Sequence, residues 1–213
     1  MSWKWSSAIE ESQRSLYKLR CRVWYFSTYQ NDVTEGVLPM SFKLETERLL
    51  LRTLRSEDID EVMEFWGNEE VMEYCYGAGS RERVARSINH YTQNHDKKGF
   101  SVYLVIAKET GHPIGACGYN PTRNTDEIEL IYHYKKESWG KGYATEAAKA
   151  CIKYADENLE NINKITASVD PRHPASIKVL EKLGFKYTHS EYCDMTKQNE
   201  PYYELLLERY ECI

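Results

Sequence analysis

A strand-like run that passes through two glycines into a helix constrains this chain more than any other feature. Glu127–Tyr134 is short, rich in β-branched and aromatic residues, and alternates in character, as a strand does. Trp139-Gly140-Lys141-Gly142 breaks the pattern, and the alanine-rich stretch after it reads as a helix through about Asn158. The first turn of a helix has unpaired N–H groups and a partial positive charge. Glycines there remove the side chains that would hold an anion away. The turn Trp139–Ala144 is therefore suited to a phosphate or pyrophosphate. Glycines at such a place also serve the turn alone, and both readings stand at this point. The chain contains no G-x-x-x-x-G-K-[ST], and no G-x-G-x-x-G follows a first strand. A Walker-type nucleotide site and a dinucleotide fold are accordingly disfavoured.

The rest of the chain alternates in the same way. Strands are expected at Arg48–Leu54, Phe100–Ala107, Pro113–Tyr119, Lys164–Val169, Phe185–Glu191 and Tyr203–Tyr210. Helices are expected from a Ser56 cap to about Trp66, over Ser80–Asn94, and over Pro174–Leu183, the last begun by proline and ended by Gly184. The order gives an α/β (α+β) domain with a mixed sheet over 41–213. Residues 1–40 differ. Trp3, Trp5 and Trp24 fall there, with a possible helix at Ser6–Arg22 and a short aromatic strand at Val23–Tyr29. An extra packed element, a dimer contact and a poorly ordered leader all fit this extension.

Composition narrows the function classes. With 41% apolar and 29% charged residues, the chain reads as globular rather than disordered. A formal net charge of -5 gives no support to binding nucleic acid. The six cysteines, at 21, 75, 117, 151, 193 and 212, are scattered without a C-x-x-C, so neither a zinc site nor any other metal is expected. No apolar run is long enough to span a bilayer and the start lacks a secretory pattern, so the expected location is the cytoplasm, without a membrane partner.

The run W-G-K-G-Y-A-T-E-A at Trp139–Ala147 resembles the coenzyme A signature of the GNAT acetyltransferases, most of all the branch of ribosomal-protein amino-terminal acetyltransferases. E-T-E-R-L-L-L-R-T-L resembles that family's first strand, E-I-E-L-I-Y-H-Y its fourth, and V-D-P-R-H-P-A-S-I-K-V-L-E-K-L-G-F its last strand and helix. The likeness runs from about Phe42 to the end. It implies the GNAT fold: a mixed, mostly antiparallel twisted sheet with a splayed parallel strand pair, flanked by helices. It also implies acetyl-coenzyme A as co-substrate. The pantetheine arm would pair with backbone at Leu130, Ile131, Tyr132, His133 and Tyr134. The pyrophosphate would rest on Trp139, Gly140, Lys141, Gly142, Tyr143, Ala144 and Thr145, with Lys135, Lys136 or Lys141 adding charge.

The same resemblance assigns roles and marks departures. Trp139 stands where relatives have Gln or Arg, and His173 where they have Asn. His173 either hydrogen-bonds the cofactor or is a surface histidine in a loop. Leu180 stands where many relatives carry a tyrosine that protonates the leaving thiolate. Ser176 is the favoured replacement, the alternative being a helix-start serine that satisfies backbone. An attacking amine must lose a proton, and Glu129 is the candidate base, with a structural acceptor as its other reading. Direct transfer to a primary amine is implied, the amine being a protein amino terminus, a polyamine or another small amine. Glu69, Glu70, Glu73, Tyr74, Tyr76 and the Tyr192–Tyr203 stretch would shape its site. The alternative function is a non-catalytic acyl-coenzyme A sensor or interaction module. The assembly is expected to be a monomer or homodimer.

Overall fold

The computed structural model describes residues 42–194 and 196–207. The expectations for 1–40, and the end of the strand expected at Tyr203–Tyr210, lie outside these residues. Among these residues eight strands form one sheet: β1 (Lys43–Glu45), β2 (Leu49–Thr53), β3 (Val102–Ala107), β4 (Pro113–Pro121), β5 (Glu127–Tyr134), β6 (Lys164–Ser168), β7 (Lys186–Cys193) and β8 (Gln198–Leu206). Their order is β1-β2-β3-β4-β5-β6-β8-β7. Every neighbouring pair is antiparallel except β5 and β6. Among the described residues four α-helices accompany the sheet: α1 (Ile59–Trp66), α2 (Arg81–Lys98), α3 (Tyr143–Asn158) and α4 (Pro174–Lys182). The mixed, mostly antiparallel α/β architecture expected from the sequence is the one observed.

Each sheet face carries its own core. On one face α1 and α2 bring Val62, Phe65, Trp66, Val84 and Ile88 against Val102, Leu104 and Ala116. On the other, Ala147, Ala148, Cys151 and Ala155 of α3 meet Tyr103, Cys117, Tyr119, Ile128, Leu130 and Leu180. The buried face of α3 is built of small residues, which admit large sheet side chains such as Tyr103 and Tyr119. The helix ends follow local chemistry. Ser80 accepts the Arg83 N–H at the start of α2, and Gly99, with φ 77°, closes it.

Two local expectations are corrected. Ser56 does not cap α1: Ser56–Asp58 form a 3-10 turn, and the Asp58 carboxylate accepts the Arg55 N–H at 2.7 Å. Asp58 also takes both terminal nitrogens of Arg52, at 2.6 and 2.8 Å, so it anchors the turn to β2. The short strand Lys43–Glu45 was not anticipated; it pairs with Leu50–Arg52. Glu127–Tyr134, expected as the fourth strand, is therefore the fifth.

Candidate active site

The parallel pair opens a gap. β5 and β6 pair at Glu127↔Lys164, Ile128↔Ile165 and Glu129↔Thr166, and no further. β5 continues to Tyr134, paired on its other side with β4 as far as Gly115↔Tyr134. One edge of Leu130–Tyr134 thus lacks a strand partner among the described residues. An unpaired strand edge offers N–H and C=O groups to an extended ligand. The end of β5 is partly committed, because the Tyr134 carbonyl accepts the Trp139 indole N–H at 2.7 Å.

The glycine turn stands at the end of this edge. Gly140 and Gly142 have φ of 73° and 81°, a region that costs other residues energy, and a Cβ at Gly140 would meet nothing within 4 Å. Gly142 precedes α3 without supplying a side-chain cap. The amides of Tyr143, Ala144 and Thr145 find no acceptor among the described residues. The acid in the first turn of α3 does not compete with an anion for them. Glu146 is turned back to accept Thr46 Oγ1 at 2.6 Å, Arg48 N at 2.9 Å and Arg48 Nε at 2.7 Å. Arg48 reaches on to the Lys141 carbonyl at 3.1 Å and lies over the Tyr143 ring at 4.7 Å. The link between β1 and β2 therefore braces the turn. Sequence reasoning missed this brace, whose only local sign is the acid itself.

The basic side chains divide. Lys135 and Lys136 pair with Glu64 and Glu70. Lys141 makes no ion pair among the described residues. A depression beside the turn is lined by Gly142, Thr145, Lys149 and Lys182 together with the acids Glu47 and Glu146, so its two lysines, which the sequence did not single out, are matched by two carboxylates.

Alternation along β5 sorts its side chains by face, as expected. Ile128, Leu130, Tyr132 and Tyr134 join the α3 core, while Ile131 packs toward α1 and α2. Glu127 and Glu129 share a face but not a fate. Glu127 is tied to Lys164 at 3.1 Å and to Asn124 Nδ2 at 2.8 Å. Glu129 accepts one long bond, 3.4 Å, from Asn120 Nδ2, whose oxygen in turn accepts the Tyr91 hydroxyl at 3.0 Å. Burial pushes the Glu129 carboxyl above its ordinary range; bonds from Asn120 and Ser168 oppose this and the nearby Glu200 charge adds to it. A carboxylate so enclosed, with neutral partners only in Asn120 and Ser168, takes up a proton more readily than an exposed one. Tyr76 stands near Glu129 and Glu200 with an uncommon backbone φ of 46°.

The histidines are assigned by their partners. Trp66 Nε1–H donates to His133 Nδ1 at 3.2 Å, and burial pushes this ring down to about 4, so it is neutral at pH 7 with its hydrogen on Nε2. His173 is the N-cap of α4: its Nδ1 accepts the Ser176 N–H at 2.9 Å, which leaves Nε2–H for a ligand. Tyr74 packs edge-on to His173 at 4.9 Å, and Arg172 lies over Tyr74 at 5.6 Å. Ser176 spends its hydroxyl elsewhere, 2.7 Å from the hydroxyl of Tyr132. Leu180 is 1% exposed and faces the core. Among the described residues, no group of His, Cys, Asp and Glu could hold a metal, and no helix is long and apolar enough to cross a membrane.

Comparison with known proteins places this geometry. Residues 48–186 match the family described as the acetyltransferase (GNAT) domain. The curated protein YkkB of Bacillus subtilis is 34% identical over 164 residues, which is 75% of this chain and 91% of its own. The N-acetyltransferase p20 of Bacillus licheniformis is 36% identical over 149 residues, covering 67% of this chain and 82% of its own. Among solved structures, a GNAT-family acetyltransferase from Bacillus anthracis superposes with a TM-score of 0.69 at 25% identity, covering 78% of this chain and 99% of its own.

Proposed function

Since the chain belongs to the GNAT acetyltransferase family, we propose that it transfers the acetyl group of acetyl-coenzyme A directly to a primary amine, with Glu129 as base. The observation that carries this reading is the convergence on one gap of three things: an unpaired strand edge, a helix start with unclaimed amides, and an enclosed carboxylate whose hydrogen-bond partners, Asn120 and Ser168, are neutral. The residues suit the cofactor chemically. The amides at Tyr143, Ala144 and Thr145 suit a pyrophosphate, and the open space at Gly140 lets it approach. The edge at Leu130–His133 suits the two amides of a pantetheine arm.

Each group then has its part in the transfer. Cofactor binding fixes the thioester carbonyl against the strand gap, where a backbone N–H polarises it. The amine arrives as an ammonium, whose ordinary pKa is roughly 8 to 10.5. It gives a proton to Glu129, whose raised basicity narrows the mismatch between acid and base. The nitrogen attacks the carbonyl carbon and the C–N bond forms; the C–S bond breaks with its electron pair going to sulfur, and the second nitrogen proton passes to the departing sulfur or to water.

Glu129 and Glu200, with Tyr76, Tyr91 and Tyr202 close enough to feel one or both charges, make the acceptor side favourable to a cation. A protein amino terminus, as in the ribosomal-protein branch, and a polyamine both meet that description. The test is release of coenzyme A thiol from acetyl-coenzyme A in the presence of amino-terminal peptides, polyamines and simple monoamines. Amine-dependent release is expected. Tight cofactor binding with no release for any amine would refute the reading.

A further inference from the structure

The two edges of the sheet are finished differently. β1 ends one side with three residues, two of them charged, the kind of edge that resists further pairing. β7 ends the other side with eight residues, all exposed except Cys193, and among the described residues no strand pairs with its outer side. An edge of that length is a template for another strand.

Neighbouring hydrogen bonds decide which groups of β7 face outward. The Pro201 carbonyl accepts the Val169 N–H at 3.2 Å, so it points toward the β6 side. Ser190 stands opposite Pro201. Proline has no N–H and its carbonyl is turned away, so the Ser190 N–H and C=O point to the free side. Alternation sends the Tyr192 N–H and C=O the same way. The side chains sort as well. The Tyr187 hydroxyl lies 3.2 Å from Ser190 Oγ, so Tyr187 shares a face with Ser190 and Tyr192. Tyr187 and Tyr192 are 57% and 56% exposed, which leaves aromatic surface in water on both sides of Ser190. His189 and Glu191 alternate to the other face. Glu191 makes no ion pair among the described residues.

A second copy of the same strand complements this pattern. In a two-fold antiparallel pair the axis must pass through one residue and its own copy. With the axis at Ser190, the two Ser190 residues exchange N–H···O=C bonds through their outward groups. Glu191 then faces the partner's His189 in the closer, non-hydrogen-bonded pair, and does so twice by symmetry. No like charges are opposed in these pairs. The exposed tyrosines of both copies gather on one face, around the axis.

We propose that β7 is a homodimer contact, in which it pairs antiparallel with β7 of a second copy about Ser190 and joins the two sheets into one. Such pairing is independent of acetyl transfer.

The test is sedimentation of the full chain across a micromolar concentration series, with hydrogen exchange read at the edge amides. A species of twice the chain mass is expected, with the Ser190 and Tyr192 amides slower in the dimer than in the dilute monomer. Ser190→Pro removes a donor that faces only the free side, where an edge strand tolerates proline. It is expected to raise the dimer dissociation constant by about tenfold to a hundredfold, the loss of two hydrogen bonds, and to leave the melting temperature of the dilute monomer near the parent's. His189→Glu sets like charges opposite each other at two places and is expected to raise the constant by about tenfold. Adding Glu191→His to His189→Glu restores opposite partners and should bring the constant back toward the parent's. A parent that stays monomeric throughout overturns the proposal, even if another segment slows its Ser190 amide. So does a dimer that Ser190→Pro and His189→Glu both leave intact. Where Ser190→Pro fails to fold, the exchange of His189 and Glu191 decides alone: a dimer weakened by His189→Glu and not restored by the second change overturns the pairing.

Discussion

At the residue scale, Glu129 is set apart from its neighbour Glu127 by what each is bound to, not by chemistry or by strand position. Glu127 pairs with Lys164, which also pairs with Glu204 at 2.9 Å, so it belongs to the framework. Glu129 has the neutral side chains of Asn120 and Ser168 instead of a cation. Its pKa is raised first by burial and further by Glu200, so the acid limb of kcat/KM should lie above the ordinary Glu value of about 4.3. The rate falls as pH drops through this pKa because the proton-accepting form is lost. Glu200→Gln removes the neighbouring charge and should move that limb to lower pH. Asn120→Ala removes a bond that favours the charged form and should move it higher. Glu129→Gln should cut kcat by about a hundredfold or more, within the range a positioned base contributes, and leave coenzyme A affinity within about twofold. A parent-like rate for Glu129→Gln would remove it from the mechanism. The sequence offered Glu129 as a candidate base through the family resemblance, and strand alternation gave only the face on which it lies. The Asn120–Tyr91 support was not legible, since it comes from a neighbouring strand and a distant helix. Nor was the contact of Tyr132 with Ser176, made across 44 residues of sequence.

At the element scale, the glycine turn is a rigid receptor held from outside itself. Trp139 ties it to the end of β5, and Glu146 with Arg48 ties it to the start of β2. The sequence disclosed the turn because two glycines between a strand and an alanine-rich helix are a local signal. It hid the brace, which depends on residues 98 positions apart. It also hid β1, whose three residues are too short for a period-2 pattern and include two charges. Gly142→Glu puts bulk at a φ of 81° and negative charge beside the unclaimed amides. Coenzyme A affinity, read by calorimetry, should fall at least tenfold, since both strain and repulsion oppose binding. Undiminished affinity would remove the pyrophosphate from this turn. Glu146→Ala should loosen the turn without touching the acceptor side. Its expected signature is a higher KM for acetyl-coenzyme A with the Glu129 limb of the pH profile unmoved. Although burial favours the neutral form of Glu146, the bonds from Thr46 and Arg48 outweigh it and hold the carboxyl below its ordinary range. The brace is therefore complete above about pH 4.3 and weakens as pH falls below that.

At the scale of the whole described domain, the sheet carries a packed core on both faces and is interrupted only where β5 and β6 part. Acid should act on this framework in an order set by its titrating groups. His133 and His95 both lie below the ordinary histidine value, through burial first; for His95 the nearby Asp96 charge partly opposes this. A group whose folded pKa is depressed takes up protons more readily in the unfolded chain. Stability is thus fully present above about 6.5 and is lost as pH falls toward the folded value, about 4 for His133. Asp170 titrates at lower pH. Its bonds from Arg172 hold it at about 2 against the opposing effect of burial, so its contribution survives until pH falls below about 3.9. The melting temperature should accordingly begin to decline below about pH 6.5, well before the carboxylates are protonated. His133→Gln keeps an acceptor for the Trp66 indole but cannot titrate near neutrality. It should flatten the slope of melting temperature against pH between about 6.5 and 5 and leave the steeper fall below about pH 4 in place. An unaltered slope in that variant would mean that the His133 ring is already open to protons in the folded state, and the burial that keeps it neutral would be wrong.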